Sequence, residues 1–218
     1  RVLFRSELMG DIDAQVGACL LGRDEVAGIL RKYGFATFRN AVQAMWDQSE
    51  RAARKAIAAV PDGRYTAEAF LDDDGLHRGV TIPLKLTVII AGDEMTVDLS
   101  ELPPEAEASI NAGISGGGQS VVRLGFRYAV FPEGHANEGT FRPLKLILPE
   151  GTIMSAGPNA ARSNYNLGLP TLIDLVIRAL AAGHQALYDP TLRVIHPDKR
   201  LTETARDRAF AYGTGLGR

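Results

Sequence analysis

Apolar residues recur at three- and four-residue steps near the start of the chain. Ile12, Val16, Leu20, Val26, Ile29 and Leu30 trace one stripe, with a single longer gap, and predict an amphipathic helix over 11–33. Gly17, Gly22 and Gly28 weaken it by about 1 kcal/mol each relative to alanine. Asp24 can cap a second segment if the helix breaks at Gly22, and Gly34 is placed as the stop. A second stripe, Val42, Met45, Ser49, Ala53, Ile57 and Val60, predicts a helix over 36–60 that ends at the turn Pro61-Asp62-Gly63. Two helices joined by so short a turn predict a helical hairpin.

The period then shortens to two. Residues 64–71, 79–91 and 94–100 alternate or form β-branched runs, with Asp72-Asp73-Asp74-Gly75 and Ala91-Gly92-Asp93 between them, and predict a three-stranded antiparallel meander. Residues 101–118 read as loop, 120–130 as helix and 131–140 as loop. A short strand follows at 144–148, 156–168 is polar and irregular, and 171–182 is a helix with Leu172, Leu175, Val176 and Ala179 on one face. A last helix is expected at 202–211. The order gives an α+β class: a helical hairpin, then a mainly antiparallel sheet with further packed helices.

Composition narrows the function classes. Apolar residues make up 45% and charged residues 23%, and 24 basic against 26 acidic side chains leave a net charge of -2. No run of basic residues marks a nucleic-acid surface, and no apolar run reaches the roughly 18 residues of a membrane span. The single cysteine, Cys19, excludes an intrachain disulfide, fits a reducing, cytoplasmic setting, and reads as a buried thiol among apolar neighbours. The chain opens on Arg1, and reads as a piece of something longer.

Candidate chemistry is sparse. Gly113 to Ser120 approaches a phosphate-binding loop, but Gln119 stands where the phosphate-reaching lysine belongs. The backbone N–H groups before the following helix keep a weaker anion-binding reading. Asp72 to Gly75 lacks the ligand alternation of a calcium loop and reads as a solvated turn. Gly113-Ile114-Ser115-Gly116-Gly117 has the serine-nucleophile spacing without a clear strand-to-helix elbow. His77, His135, His184 and His196 lie at no metal-ligand spacing, so no metal ligand is assigned within this chain. The segment from Asn137 to Thr152 brackets one apolar strand with two turns. It carries Glu138, Arg142 and Glu150; an Arg142–carboxylate pair and turn hydrogen bonds are its plainest reading.

Gly10-Asp11-Ile12-Asp13-Ala14-Gln15, the helix end Arg31-Lys32-Tyr33-Gly34, Ser49-Glu50-Arg51 and Pro61-Asp62-Gly63-Arg64-Tyr65 follow one another in a telling order. Asp73-Asp74-Gly75, Val97-Asp98-Leu99-Ser100, Ile110-Asn111-Ala112, Asn137-Glu138-Gly139, Arg142-Pro143 and Pro149-Glu150-Gly151-Thr152 continue it, up to the helix Leu175–Ala181. Together these motifs resemble the B-type subunit of the hydantoinase/oxoprolinase and ketone-carboxylase family over about residues 10–182. The match weakens at Ser100-Glu101-Leu102-Pro103, at Gly113–Gly118, over 156–168 and beyond Gly183.

The resemblance implies an ATP-dependent enzyme that opens a cyclic amide or carboxylates a ketone. Its partner would be an A-type nucleotide-binding subunit, in a hetero-oligomer completed by the remainder of the B-type subunit. ATP and a divalent metal serve the full complex. The family's metal motifs lie upstream of the Gly-Asp-x-x-Ala-Gln run and are absent here, so the chain is expected to bind no metal and to be inactive alone. A non-catalytic scaffold or interface fragment is the alternative. Residues 1–187 are expected to form the family-like part and 188–218 a poorly matching tail. Asp11, Gln15, Asn111, Asn137, Glu138 and Arg142 are the candidate substrate-site residues, with no chemical step assigned to any of them.

Overall fold

A computed structural model describes residues 5–162 and 167–183. The expected 202–211 helix and the tail from 188 lie outside the described residues. Two long helices come first, α1 (Arg5–Tyr33) and α2 (Phe35–Ile57), separated by Gly34 at φ 77°. Three strands follow, β1 (Gly63–Leu71), β2 (Ile82–Ala91) and β3 (Glu94–Asp98). A long crossover then carries α3 (Gly118–Ala129) and the one-turn α4 (Glu138–Phe141) to β4 (Leu144–Ile147), and α5 (Gly168–Gly183) completes the described part.

The sheet order is β1-β2-β3-β4. The first two pairings are antiparallel, as the alternating pattern predicts, with Val88 opposite Val97. Ala91 pairs Glu94 across the two-residue turn Gly92-Asp93, whose glycine takes φ 61°. β4 instead lies parallel to β3, with Val97 opposite Leu146. A parallel pair needs a crossover of a dozen or more residues, and residues 99–143 supply it. The class is α+β with a mixed, mostly antiparallel sheet.

One sheet face carries Leu84, Leu86, Val88 and Ile90 of β2 with Met95 and Val97 of β3, all buried. α5 packs on β1 and β2, and α3 packs between α5 and β4. Leu172, Leu175, Val176 and Ala179, expected on one face of the last helix, are all buried against this core with Val121, Val122 and Phe126 of α3. On the other face Thr66 and Thr87, paired in register, share a hydroxyl hydrogen bond of 3.0 Å.

Residues 101–117 are loop, as the sequence predicts, and hydrogen-bond to the strap 151–156. Glu105 N–H donates to Gly151 O, Ile153 N–H to Pro103 O, Ala112 N–H to Ile153 O and Ala156 N–H to Ala112 O. These non-local bonds leave no periodic signal. Two stretches depart from the sequence-based expectation. Residues 138–141 form a helix too short for any period, although Asn137 caps it and Thr140 closes a capping box. Finally, α1 does not bury its stripe: Ile12, Val16, Leu20, Val26 and Ile29 are all exposed. A closely packed hairpin would have covered them. Cys19, expected to be buried, is exposed for the same reason.

The acidic β1–β2 loop is held by its own backbone. Asp73 accepts from Gly75 N–H, and Asp74 accepts from the N–H groups of Leu76 and His77. The His77 ring meets Asp74 at 2.8 Å. The His77 N–H, followed by its ring, lowers the Asp74 pKa to about 2, and the hydrogen bond that the His77 ring donates to Asp74 raises that of His77. Asp74's contribution to stability is present above its ordinary value of 3.8 and is lost as pH falls toward about 2. His77's is full below its ordinary 6.5 and is lost as pH rises through the raised folded value. The pair is therefore fully formed between those two ordinary values. An NMR titration is expected to place His77 above 6.5 and to return it there in Asp74→Asn; an unmoved midpoint in the variant would contradict the pair.

Candidate functional site

The sequence-predicted site residues fall on separate surfaces. Asp11 and Gln15 stand on the exposed stretch of α1. Asn137 and Arg142 come together on α2, Glu138 turns to α3, and Asn111 is buried beside a cleft.

Along α2, Asp47, Glu50 and Arg54 occupy successive turns of one face. Arg142 Nη1 donates to Asp47 Oδ1 and to Glu50 Oε2, both at 2.9 Å. Arg54 Nε donates to Glu50 Oε1 at 2.9 Å, and its Nη1 donates to Asp93 Oδ1 at 3.0 Å in the β2–β3 turn. Arg54 also lies 3.7 Å from Glu94, which pairs with Lys145 of β4 at 2.6 Å. The guanidinium of Arg142 lies 5.6 Å from the centre of the Trp46 ring. Asn137 Nδ2 donates to Ser49 Oγ at 2.8 Å. Glu138 pairs with Arg123 at 3.2 Å.

This chain of alternating charges ties α2 to the β2–β3 turn, α4 and β4. Hydrogen bonds from Arg142, then Gln43, hold the Asp47 carboxyl below its usual range; Arg142 and then Arg54 do so for Glu50, and Lys145 for Glu94. The pairs therefore stabilise the fold above ordinary carboxylate pKa values and are lost as pH falls through the lowered ones. Asp47 and Trp46 were not singled out from the sequence. The available signal was the one-face spacing of Asp47, Glu50 and Arg54, which points to a surface network as readily as to a site.

Asn111 is fully buried and fully bonded. Its Oδ1 accepts from Ala106 N–H at 2.8 Å, and its Nδ2 donates to the carbonyls of Ala106, Ala108 and Ala161. It pins the 105–112 segment from within. Beside it opens a cleft of about 850 Å³, formed by Asn111–Gly116, Ser120, Ala156, Pro158, Arg162 and Leu169. Arg162 lies in the stretch that reads as polar and irregular, where nothing in the pattern marks it.

Several comparisons bear on this arrangement. The hydantoinase B/oxoprolinase family model matches residues 2–206. The chain belongs to this family. The putative B-type subunit of a D-/L-hydantoinase from a Pseudomonas strain is 33% identical over 80% of the chain and 31% of its own length. The beta subunit of caprolactamase from Pseudomonas jessenii is 35% identical over 78% of the chain and 29% of its own length. The crystal structure of the ATP-dependent caprolactamase from the same organism superposes with a TM-score of 0.73 at 32% identity, covering 82% of this chain and 31% of that one. A nucleotide-free acetone carboxylase structure, 16% identical with a TM-score of 0.68, covers 80% of this chain and 25% of that one, and shares the fold. This hydantoinase B-type chain thus spans under a third of the length of these relatives.

Among the described residues no three His, Cys, Asp or Glu side chains gather as a metal-binding set. The glycine-rich loop does not fit a nucleotide phosphate. Gly117 N–H is spent on Gly113 O, Gly118 N–H on Met154 O and Gln119 N–H on Ile114 O. The N-terminus of α3 has thus lost most of the donors that a phosphate would need.

Two substitutions test these assignments. Asn111→Ala leaves one buried N–H and up to three carbonyls without a partner, and is expected to cost about 3 kcal/mol in chemical denaturation; a loss below about 1 kcal/mol would contradict the pinning role. At Gly139 a Cβ would collide with the Trp46 carbonyl. Gly139→Ala is expected to force α4 off α2 at a cost of about 2 kcal/mol, and to weaken the Arg142 pairs, read as a shallower acid limb of unfolding.

Proposed function

We propose that this chain is a segment of the B-type subunit of an ATP-dependent enzyme that opens a cyclic amide or carboxylates a ketone, in a hetero-oligomer with an A-type nucleotide-binding partner. The observation that carries this reading is the family match over residues 2–206, supported by the 0.73 superposition on ATP-dependent caprolactamase. In the full complex the nucleotide and a divalent metal reside on other parts. The described residues contribute shape and polar surface: a cleft beside Asn111, and the α2–α4 face where Asn137 and Arg142 meet Ser49 and Glu50. Among the described residues no helix is long and apolar enough to cross a membrane. A single cysteine suits the reducing cytoplasm.

A second reading, a non-catalytic scaffold, is favoured by one specific feature. Asn111, Asn137 and Arg142 all spend hydrogen-bonding groups on the fold itself.

Intact mass and subunit composition of the natively purified protein separate the two readings. The enzyme reading expects a species larger than 23.5 kDa, a copurifying nucleotide-binding chain, stoichiometric metal, and ATP hydrolysis coupled to lactam or hydantoin opening or to ketone carboxylation. A metal-free 23.5 kDa species without a partner would sink it.

A further inference from the structure

Among the described residues, the cleft beside Asn111 has one charged side chain on its wall, Arg162, and no carboxylate. Two other clefts differ in this respect: Glu68 and Glu101 line one, and Glu133 lines the other. Arg162 is also held in place. Its Nη2 donates to Ala156 O at 2.6 Å and to Gly157 O, which commits one of its three nitrogens. Nη1 takes no partner among the described residues and lies against Gly113, where an added Cβ would stand 3.3 Å from it. The glycine leaves the guanidinium room at the loop. A cation fixed in advance loses little side-chain entropy when it binds. Ala112, Ile114, Pro158 and Leu169 supply apolar wall, and Ser115 and Ser120 supply hydroxyls. An apolar cleft of this size with a few polar groups is the usual form of a small-molecule site.

We propose that this cleft binds the carboxylate of a small organic acid, with Arg162 Nη1 as the charged donor. The choice of carboxylate rests on the proposed function: opening a cyclic amide and carboxylating a ketone both end in a carboxylate product. Inorganic phosphate brings charge but no hydrocarbon part for the apolar wall. The apolar wall then receives the hydrocarbon part of the same molecule.

Isothermal titration of the full chain with glutarate, with its uncharged diamide and with inorganic phosphate tests the assignment. The expected result is saturable glutarate binding, weakened about tenfold or more in the diamide and in Arg162→Gln. Because Arg162 also holds the carbonyls of Ala156 and Gly157, Arg162→Gln can loosen the cleft. Ile114→Glu is therefore the second variant, at a position 48% exposed on the wall. It places a carboxylate there without touching those bonds, and is expected to weaken glutarate severalfold at unchanged Tm. No saturable binding, equal affinity in Ile114→Glu, or phosphate bound as tightly as glutarate would each overturn the proposal. If the native complex shows ATP-dependent turnover while the chain binds no glutarate, this site fails and the functional reading stands. If glutarate binds as expected in a protein without such turnover, the functional reading fails and the cleft remains an anion site.

Discussion

The parallel pairing of β4 with β3 is the constraint on which the rest of the arrangement depends. An antiparallel return could have come from a tight turn, but a parallel one requires the chain to cross the sheet. That crossover carries α3 onto the sheet face, where Phe126 joins the core, and it delivers α4 to α2 immediately before β4 begins. The strap after β4 then closes on the segment before α3, through the Ala112–Ile153 and Ala112–Ala156 hydrogen bonds. The cleft lies beside this closure, so its shape is a product of topology more than of any local motif.

The polar network on α2 follows from the same constraint. Asp47 and Glu50 are 95 and 92 positions from Arg142 in the chain, yet both accept from one nitrogen of its guanidinium. Such surface pairs contribute little individually, but a connected chain of them fixes the relation of a helix to a sheet edge. Asn137 adds a second attachment through Ser49, and the absence of a side chain at Gly139 lets the backbones approach. The residues that carry the family resemblance at Ser49-Glu50-Arg51 and at Asn137–Pro143 are thus the two halves of one contact. That contact is a physical reason for both motifs that requires no catalytic role.

α1 is the unsatisfied part of this picture. From Ala14 to Gly22 it has a single polar side chain, Gln15, and a helix apolar nearly all round is normally buried. Its exposed stripe accords with a chain that spans under a third of its relatives' length. Hydrophobic period reports that a helix has an apolar face without reporting what covers it.

The amino-acid sequence by itself determined the helices, the antiparallel strands, the inward face of α5 and the family. Each rests on local period, on turn residues such as Pro61-Asp62-Gly63 and Ala91-Gly92-Asp93, or on ordered motifs. The sequence read 131–140 as loop, and the single turn of α4, capped by Asn137, carried no period to reveal it. Only the tertiary structure decided that β4 is parallel, that Asn111 is an internal pin, that Arg142 belongs to α2, and that Arg162 lines a cleft. Each of these joins residues distant in sequence or depends on backbone hydrogen bonds, and neither leaves a periodic trace in the order of side chains.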